Sequence, residues 1–221
     1  MKNKPNFSLA YTKANILLAN ARSTGTIPFH PKDLIKEKGD SIIVCRSFSK
    51  AESYGLNPKA LGSDSAVLVK FHGKYIIFYN DAKPLSHVKF SILHEYGHFL
   101  LNHNINCKDK TLYEIQEVEA NFFAAQMLMP DQIIREFQKN GQNITCEFIM
   151  KTFEICEEAA KKRIEFLKKT FNIYKKETEK EFDDVIRIRH LNLIKSICQN
   201  NNTLDFEDEI EMANKRNQWY Y

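Results

Sequence analysis

The residues best suited to chemistry form one short run, His94-Glu95-Tyr96-Gly97-His98. Residues four apart on an α-helix lie about 40° from one another, so both imidazoles leave the same face. Two neutral imidazoles, a third protein ligand and a water make the open tetrahedral Zn2+ site of a hydrolase. Glu95 falls about 100° further round, where it can reach that water without ligating the metal. Zinc lowers the pKa of a water to about 7, and a carboxylate so placed takes the proton as the water attacks a carbonyl. The plain alternative is a core helix whose histidines only hydrogen-bond.

The surrounding residues fit a half-buried helix. Pro84 and Ser86 offer a loop followed by an N-cap, and Ile92, Leu93, Tyr96, Phe99 and Leu100 form an apolar stripe opposite the histidines. Gly97 is expected where a neighbouring backbone comes close, because glycine otherwise costs about 1 kcal/mol in a helix. A third ligand is sought downstream, in the run from Val118 to Pro130. It reads as a second apolar helix with Glu119 near its start. A carboxylate on a mostly buried helix needs a partner, and a metal would be one. First-turn placement complementing the helix dipole is the other reading of Glu119. It applies also to Glu114 and Glu117, which lie nearer the exposed end, and Glu119 is favoured.

The two motifs together, His94-Glu95-Tyr96-Gly97-His98 and the Glu119-Ala120-Asn121 run ending at Met129-Pro130, resemble the ImmA/IrrE family of bacterial metallopeptidases. The resemblance extends over roughly residues 6 to 170. An opening helix (Ala14 to Ala21), Ile27-Pro28, a short helix at Asp33-Leu34-Ile35 and a strand at Ile42-Ile43-Val44 follow the family order. A hairpin over Ala66 to Tyr79, turning near His72-Gly73, precedes the metal helix. The resemblance implies a zinc endopeptidase of the gluzincin type, with His94, His98 and Glu119 as ligands and Glu95 as base. It implies DNA-binding repressors of phages or integrative elements as the substrate class. The expected fold is α+β, mainly helical: a gluzincin-like core with a small sheet over residues 1–140, then a helical region over 141–221. The latter holds a helix-turn-helix-like pair at 145–170 and further helices.

Composition narrows the setting. With 221 residues, 43% hydrophobic and 27% charged, the chain is long enough for a full core and has an ordinary globular balance. The net charge of +4 is too small to argue for nucleic acid. Residues 1–90 carry 14 basic and 6 acidic side chains and the remainder 18 and 22, so the amino-terminal part is the basic one. The five cysteines are odd in number and contain no C-x-x-C pair, which suits a reducing cytosol. No run approaches the ~18 apolar residues of a membrane helix. Tyr11, Thr12, Lys13 and Asn15 interrupt the apolar run that a signal-peptide core would need, so that segment is expected as a mature amphipathic helix.

Further elements follow from periodicity and turn chemistry. Strands are expected at Ser41 to Cys45, Ala66 to Phe71 and Lys74 to Tyr79, and a mostly irregular segment at Ser49 to Asp64. Helices are expected over Lys32 to Glu37, Ile133 to Gln138, Thr145 to Ile155, Cys156 to Leu167 and Glu177 to Cys198. An acidic helix near Glu207 to Glu211 and an aromatic end, Trp219-Tyr220-Tyr221, complete the chain. His87, two turns before His94, is a candidate cleft or oxyanion residue; Tyr79, His103 and Tyr113 are lesser ones. Asn121 is a candidate partner orienting a ligand imidazole. DNA binding by the 145–170 pair is not favoured, because Glu157, Glu158 and Glu165 share the second helix with Lys161, Lys162 and Arg163. The alternatives to a protease are a metal-binding sensor without proteolysis and a DNA-binding regulator on the same fold.

Overall fold

A computed structural model describes residues 4–39, 42–57, 62–170 and 177–198. The expected first residue of the first strand, the helix near Glu207 and the aromatic terminus lie outside them. Among the described residues the fold is α+β and mainly helical, as expected.

Helix α1 (Phe7–Asn20) is capped by Asn6, whose side chain accepts from the Leu9 N–H at 3.1 Å. Helix α2 (Pro31–Glu37) starts at His30, with Pro31 in the first position, where its missing N–H is harmless. Strands β1 (Ile43–Ser47), β2 (Ala66–Phe71) and β3 (Lys74–Tyr79) form a sheet in the order β1-β3-β2. β1 runs parallel to β3, and β2 antiparallel to it. The hairpin ends match the sequence reading residue for residue. Its two turn residues, His72 and Gly73, have φ of 46° and 80°, the pair of positive values a two-residue hairpin loop needs. One difference lies between β1 and β2, where Phe48–Tyr54 forms a 3-10 helix rather than loop. Ala51 is fully buried there and anchors it.

Helix α3 (Leu85–Leu100) begins at Pro84, so Ser86 lies inside it and does not cap it. Its buried side is Val88, Ile92, Leu93 and Tyr96; Phe99 and Leu100 are half-buried. Helix α4 (Lys110–Leu128) is capped by Asp109, which accepts from the Leu112 N–H at 3.1 Å. It therefore starts nine residues before Glu119, which sits mid-helix. The α3–α4 seam carries Tyr96 edge-on to Phe123, ring centroids 6.4 Å apart. Each such buried aromatic contributes on the order of 2–3 kcal/mol.

Gly97 lies in that seam. A Cβ there would stand 3.0 Å from Phe123 Cδ1 and 3.3 Å from the Ala120 Cα. We expect Gly97→Ala to destabilise the protein despite a helix-propensity gain of about 1 kcal/mol. Phe123 is fully buried and has no room to retreat, so overpacking of about 1–3 kcal/mol wins. Thermal melts of the two forms check this; a rise in Tm would show that the seam is slack.

Among the described residues five helices follow in the carboxy-terminal part: α5 (Asp131–Lys139), α6 (Cys146–Phe153), α7 (Glu157–Thr170), α8 (Glu177–Arg189) and α9 (Leu191–Cys198). The break between α6 and α7 falls at Glu154, which adopts the left-handed conformation and pairs with Lys89 of α3 at 2.7 Å. The expected single helix from Glu177 to Cys198 is broken at His190. The buried His190 ring meets the Ile186 and Thr24 carbonyls at 2.7 and 2.9 Å, and Arg189 reaches the Ala21 carbonyl at 2.6 Å. A buried polar network ties α1, α4, α5 and α7 together. Tyr11 donates to Asp131, Gln126 meets Asn15, Asp131 and Gln132, and Arg163 donates to the Met129 carbonyl and Gln126. One apolar cluster runs from Ala10 to Cys198, with members on both sides of the expected boundary after residue 140.

Candidate metal centre

The stripe of α3 opposite its apolar side presents His94 and His98 to α4. Their Nε2 atoms lie 3.0 Å apart. Glu117 of α4 meets both, with one carboxylate oxygen 3.3 Å from His94 Nε2 and the other 3.3 Å from His98 Nε2. These three residues form the group able to hold a metal ion among the described residues. Ligand atoms on a tetrahedral zinc with bonds of about 2.0–2.1 Å are separated by about 3.3 Å. The observed spacings of 3.0, 3.3 and 3.3 Å fit such an ion, and the donor set of two imidazoles and a carboxylate is the type zinc takes in open sites.

Glu119, the expected third ligand, is not in this cluster. Its carboxylate accepts from His103 Nε2 at 2.9 Å and from the Asn6 N–H at the start of α1. Glu119 is 7% exposed, and a carboxylate so buried needs a partner. The partner is a histidine and a backbone amide, not a metal site. Helix phase explains the substitution: residues two apart are about 200° apart round the axis, so Glu117 and Glu119 face opposite ways. Asn121, which lies one turn after Glu117, faces His94 and meets its Nδ1 at 3.0 Å. Asn121 and Glu117 stand in an i, i−4 relation, so once Asn121 is known to face His94 the same face of α4 presents Glu117.

Glu95 lines the same opening as His94 and His98 and is hydrogen-bonded by the Leu68 backbone on β2. Burial lifts its carboxyl above the usual carboxylate range, against the pull of His94 and His98. The Glu117 carboxyl is held far below that range by its hydrogen bonds to His94 and His98. His94 is opposed by burial, yet its hydrogen bond to Glu117 and the charges of Glu95 and Glu117 raise its pKa.

These residues line a cleft of about 570 Å³. Its floor is α3 and its walls are β2, at Ala66, Val67 and Leu68, and the first turns of α4. Among the described strands β2 has only β3 as neighbour, so its other edge is unpaired along this wall. His87 lines the cleft as expected, 2.9 Å from Ser65 Oγ. Tyr113 lines it too and hydrogen-bonds Glu117. Tyr79 does not: it is buried and takes a hydrogen bond from Lys32 at 3.1 Å. His103 stands behind His98, away from the opening.

Two histidines from one helical turn, a carboxylate from the next helix and a glutamate beside them define a metallopeptidase-like centre. The comparison with known families agrees. Residues 56–165, about half of the chain, match the family model Peptidase_M78, the IrrE N-terminal-like domain, and this part of the chain belongs to that family. The match spans β2, β3 and both helices of the site. No curated protein matches the chain.

Proposed function

We propose that the protein is a metal-dependent endopeptidase, with Zn2+ held by His94, His98 and Glu117 and with Glu95 as general base. The observation that carries this reading is the convergence of those three donors at tetrahedral spacing beside Glu95, in a cleft walled by an unpaired strand edge. The bound cation supplies Lewis acidity, making water a better proton donor and the scissile carbonyl a better electrophile. The chain's own residues do the rest. An extended peptide adds to the free edge of β2, main chain to main chain, which brings a carbonyl over α3. Glu95 takes the proton of the attacking water and passes it to the leaving amine. Tyr113 and His87, both on the cleft wall, are placed to donate to the oxygen that gains charge.

The proposed substrate is a cytoplasmic regulatory protein, such as a helix-turn-helix repressor of a phage or mobile element, with cleavage held low until a signal or partner arrives. No helix among the described residues is long and apolar enough to cross a membrane. DNA binding through α6 and α7 is not favoured. Lys161 and Lys162 are paired with Glu157 and Glu158 at 2.5 and 2.7 Å, and Arg163 is buried under the Met129 carbonyl. The test is to incubate the zinc-loaded protein with peptides spanning repressor sequences and to follow products by mass spectrometry. We expect internal cleavage that stops on chelation and returns with zinc. Identical products with and without the metal would overturn the reading.

A further inference from the structure

Behind the candidate ligand His98 runs a chain of buried polar groups that the hydrolytic reading does not use. Asn102, just past the end of α3, has φ of 54°, and this left-handed residue turns the backbone so that the His103 N–H reaches the His98 carbonyl at 3.0 Å. The His103 ring is thereby folded back on His98, with the two Nδ1 atoms 2.9 Å apart. His103 Nε2 lies 2.9 Å from one oxygen of Glu119, and the other oxygen accepts from the Asn6 N–H. The His103 and Glu119 side chains are 5% and 10% exposed, so water does not complete these contacts.

With both imidazoles neutral, hydrogen counting leaves this chain one arrangement. A neutral imidazole has one N–H, and an ionised carboxylate only accepts. Glu119 must receive the Asn6 N–H and an N–H from His103 Nε2. That leaves His103 Nδ1 as a lone pair, which requires the hydrogen between the rings to sit on His98 Nδ1. In neutral His98 the Nε2 is then a lone pair, aimed at His94 Nε2 and Glu117, and only a second proton on His98 makes it a donor to Glu117. We propose that His103 and Glu119 are positioning residues that fix the tautomer and orientation of His98, so that its Nε2 is free for the cation. This rests on the reading of His98 as a ligand. A carboxylate placed behind an imidazole also makes the imidazole a stronger donor. His94 has the weaker form of the device, a single neutral amide from Asn121.

Glu119→Gln is the discriminating variant. Its amide oxygen must still take the Asn6 N–H, so its NH2 faces His103 Nε2. The His103 hydrogen then moves to Nδ1, and the His98 hydrogen moves to Nε2, where the cation should bind. Long-range 15N–1H spectra of the metal-free parent, recorded at alkaline pH where the imidazoles are neutral, should show His98 protonated at Nδ1 and His103 at Nε2, and both should be shifted to the opposite tautomer in Glu119→Gln. Competition with a fluorescent chelator should show zinc bound about 10–100-fold more weakly by Glu119→Gln and by His103→Phe. A role confined to packing would lower the metal-free Tm and leave both readouts unchanged, which overturns the proposal, as does a neutral parent His98 whose single hydrogen is on Nε2. Should the parent bind no zinc, the metal reading fails by itself, and the tautomers of the metal-free parent still decide this one. The same spectra decide it if Glu119→Gln does not fold.

Discussion

If Glu95 is the general base, Glu95→Gln is expected to retain as much zinc as the parent and to hydrolyse peptide about 10²–10⁴-fold more slowly. The two halves of this result have separate causes. Glu95 is outside the group formed by His94, His98 and Glu117, so its charge is not among the donors. The amide keeps the volume of the carboxyl, and its oxygen can still accept from the Leu68 backbone, so β2 and α3 keep their spacing. The amide cannot take a proton from water at neutral pH. Losing the base raises the barrier by about 3–5 kcal/mol, at 1.36 kcal/mol for each factor of ten. The effect should fall on kcat rather than KM, because the peptide is held by the strand edge. Steady-state kinetics on a peptide cleaved by the parent, with metal content measured on the same samples, decide the matter. Hydrolysis at the parent rate by the zinc-loaded variant would remove Glu95 as the base.

The parts of this protein that were legible in its sequence are those fixed by local geometry. The hairpin from Ala66 to Tyr79 was readable because alternation sets the strands and His72-Gly73 supplies two positive φ values. The histidine face of α3 was readable because an i, i+4 pair has no freedom once the helix forms. The closeness of α4 at Gly97 followed from the helix penalty that only a tight contact repays. What was not legible depends on partners distant in sequence. Glu119 reads as a buried acid seeking a ligand, and only the folded chain shows that Asn6, 113 residues earlier, and His103 occupy it. The break at His190 has no proline or glycine to announce it; it follows from the Thr24 and Ala21 carbonyls of another element. Site chemistry was thus readable to the level of its motif, and the third donor required knowing which side of α4 faces α3.

Glu117→Ala removes that third donor, and zinc affinity should fall by more than the roughly 100-fold that loss of an outer partner can cost. Glu119 cannot substitute. It leaves α4 about 160° away from the Glu117 direction and is held by His103 and the Asn6 N–H. The metal-free protein offers a second, independent signature. The Glu117 carboxyl is depressed from 4.5 and His94 is raised from 6.5 because the two stabilise each other's charged forms. The contribution of His94 is therefore complete below about 6.5 and is lost as pH rises through its raised pKa. That of Glu117 is present above about 4.5 and lost as pH falls through its depressed one. Chelator-treated Glu117→Ala should accordingly melt below the parent by the widest margin between about pH 4.5 and 6.5, and the gap should narrow by pH 8.5. Isothermal titration with zinc and melts at three pH values check both signatures. If Glu119→Ala abolishes zinc binding while Glu117→Ala leaves it intact, the ligand set drawn from this geometry is wrong, and the carboxylate facing α1 must turn towards α3 when the metal binds.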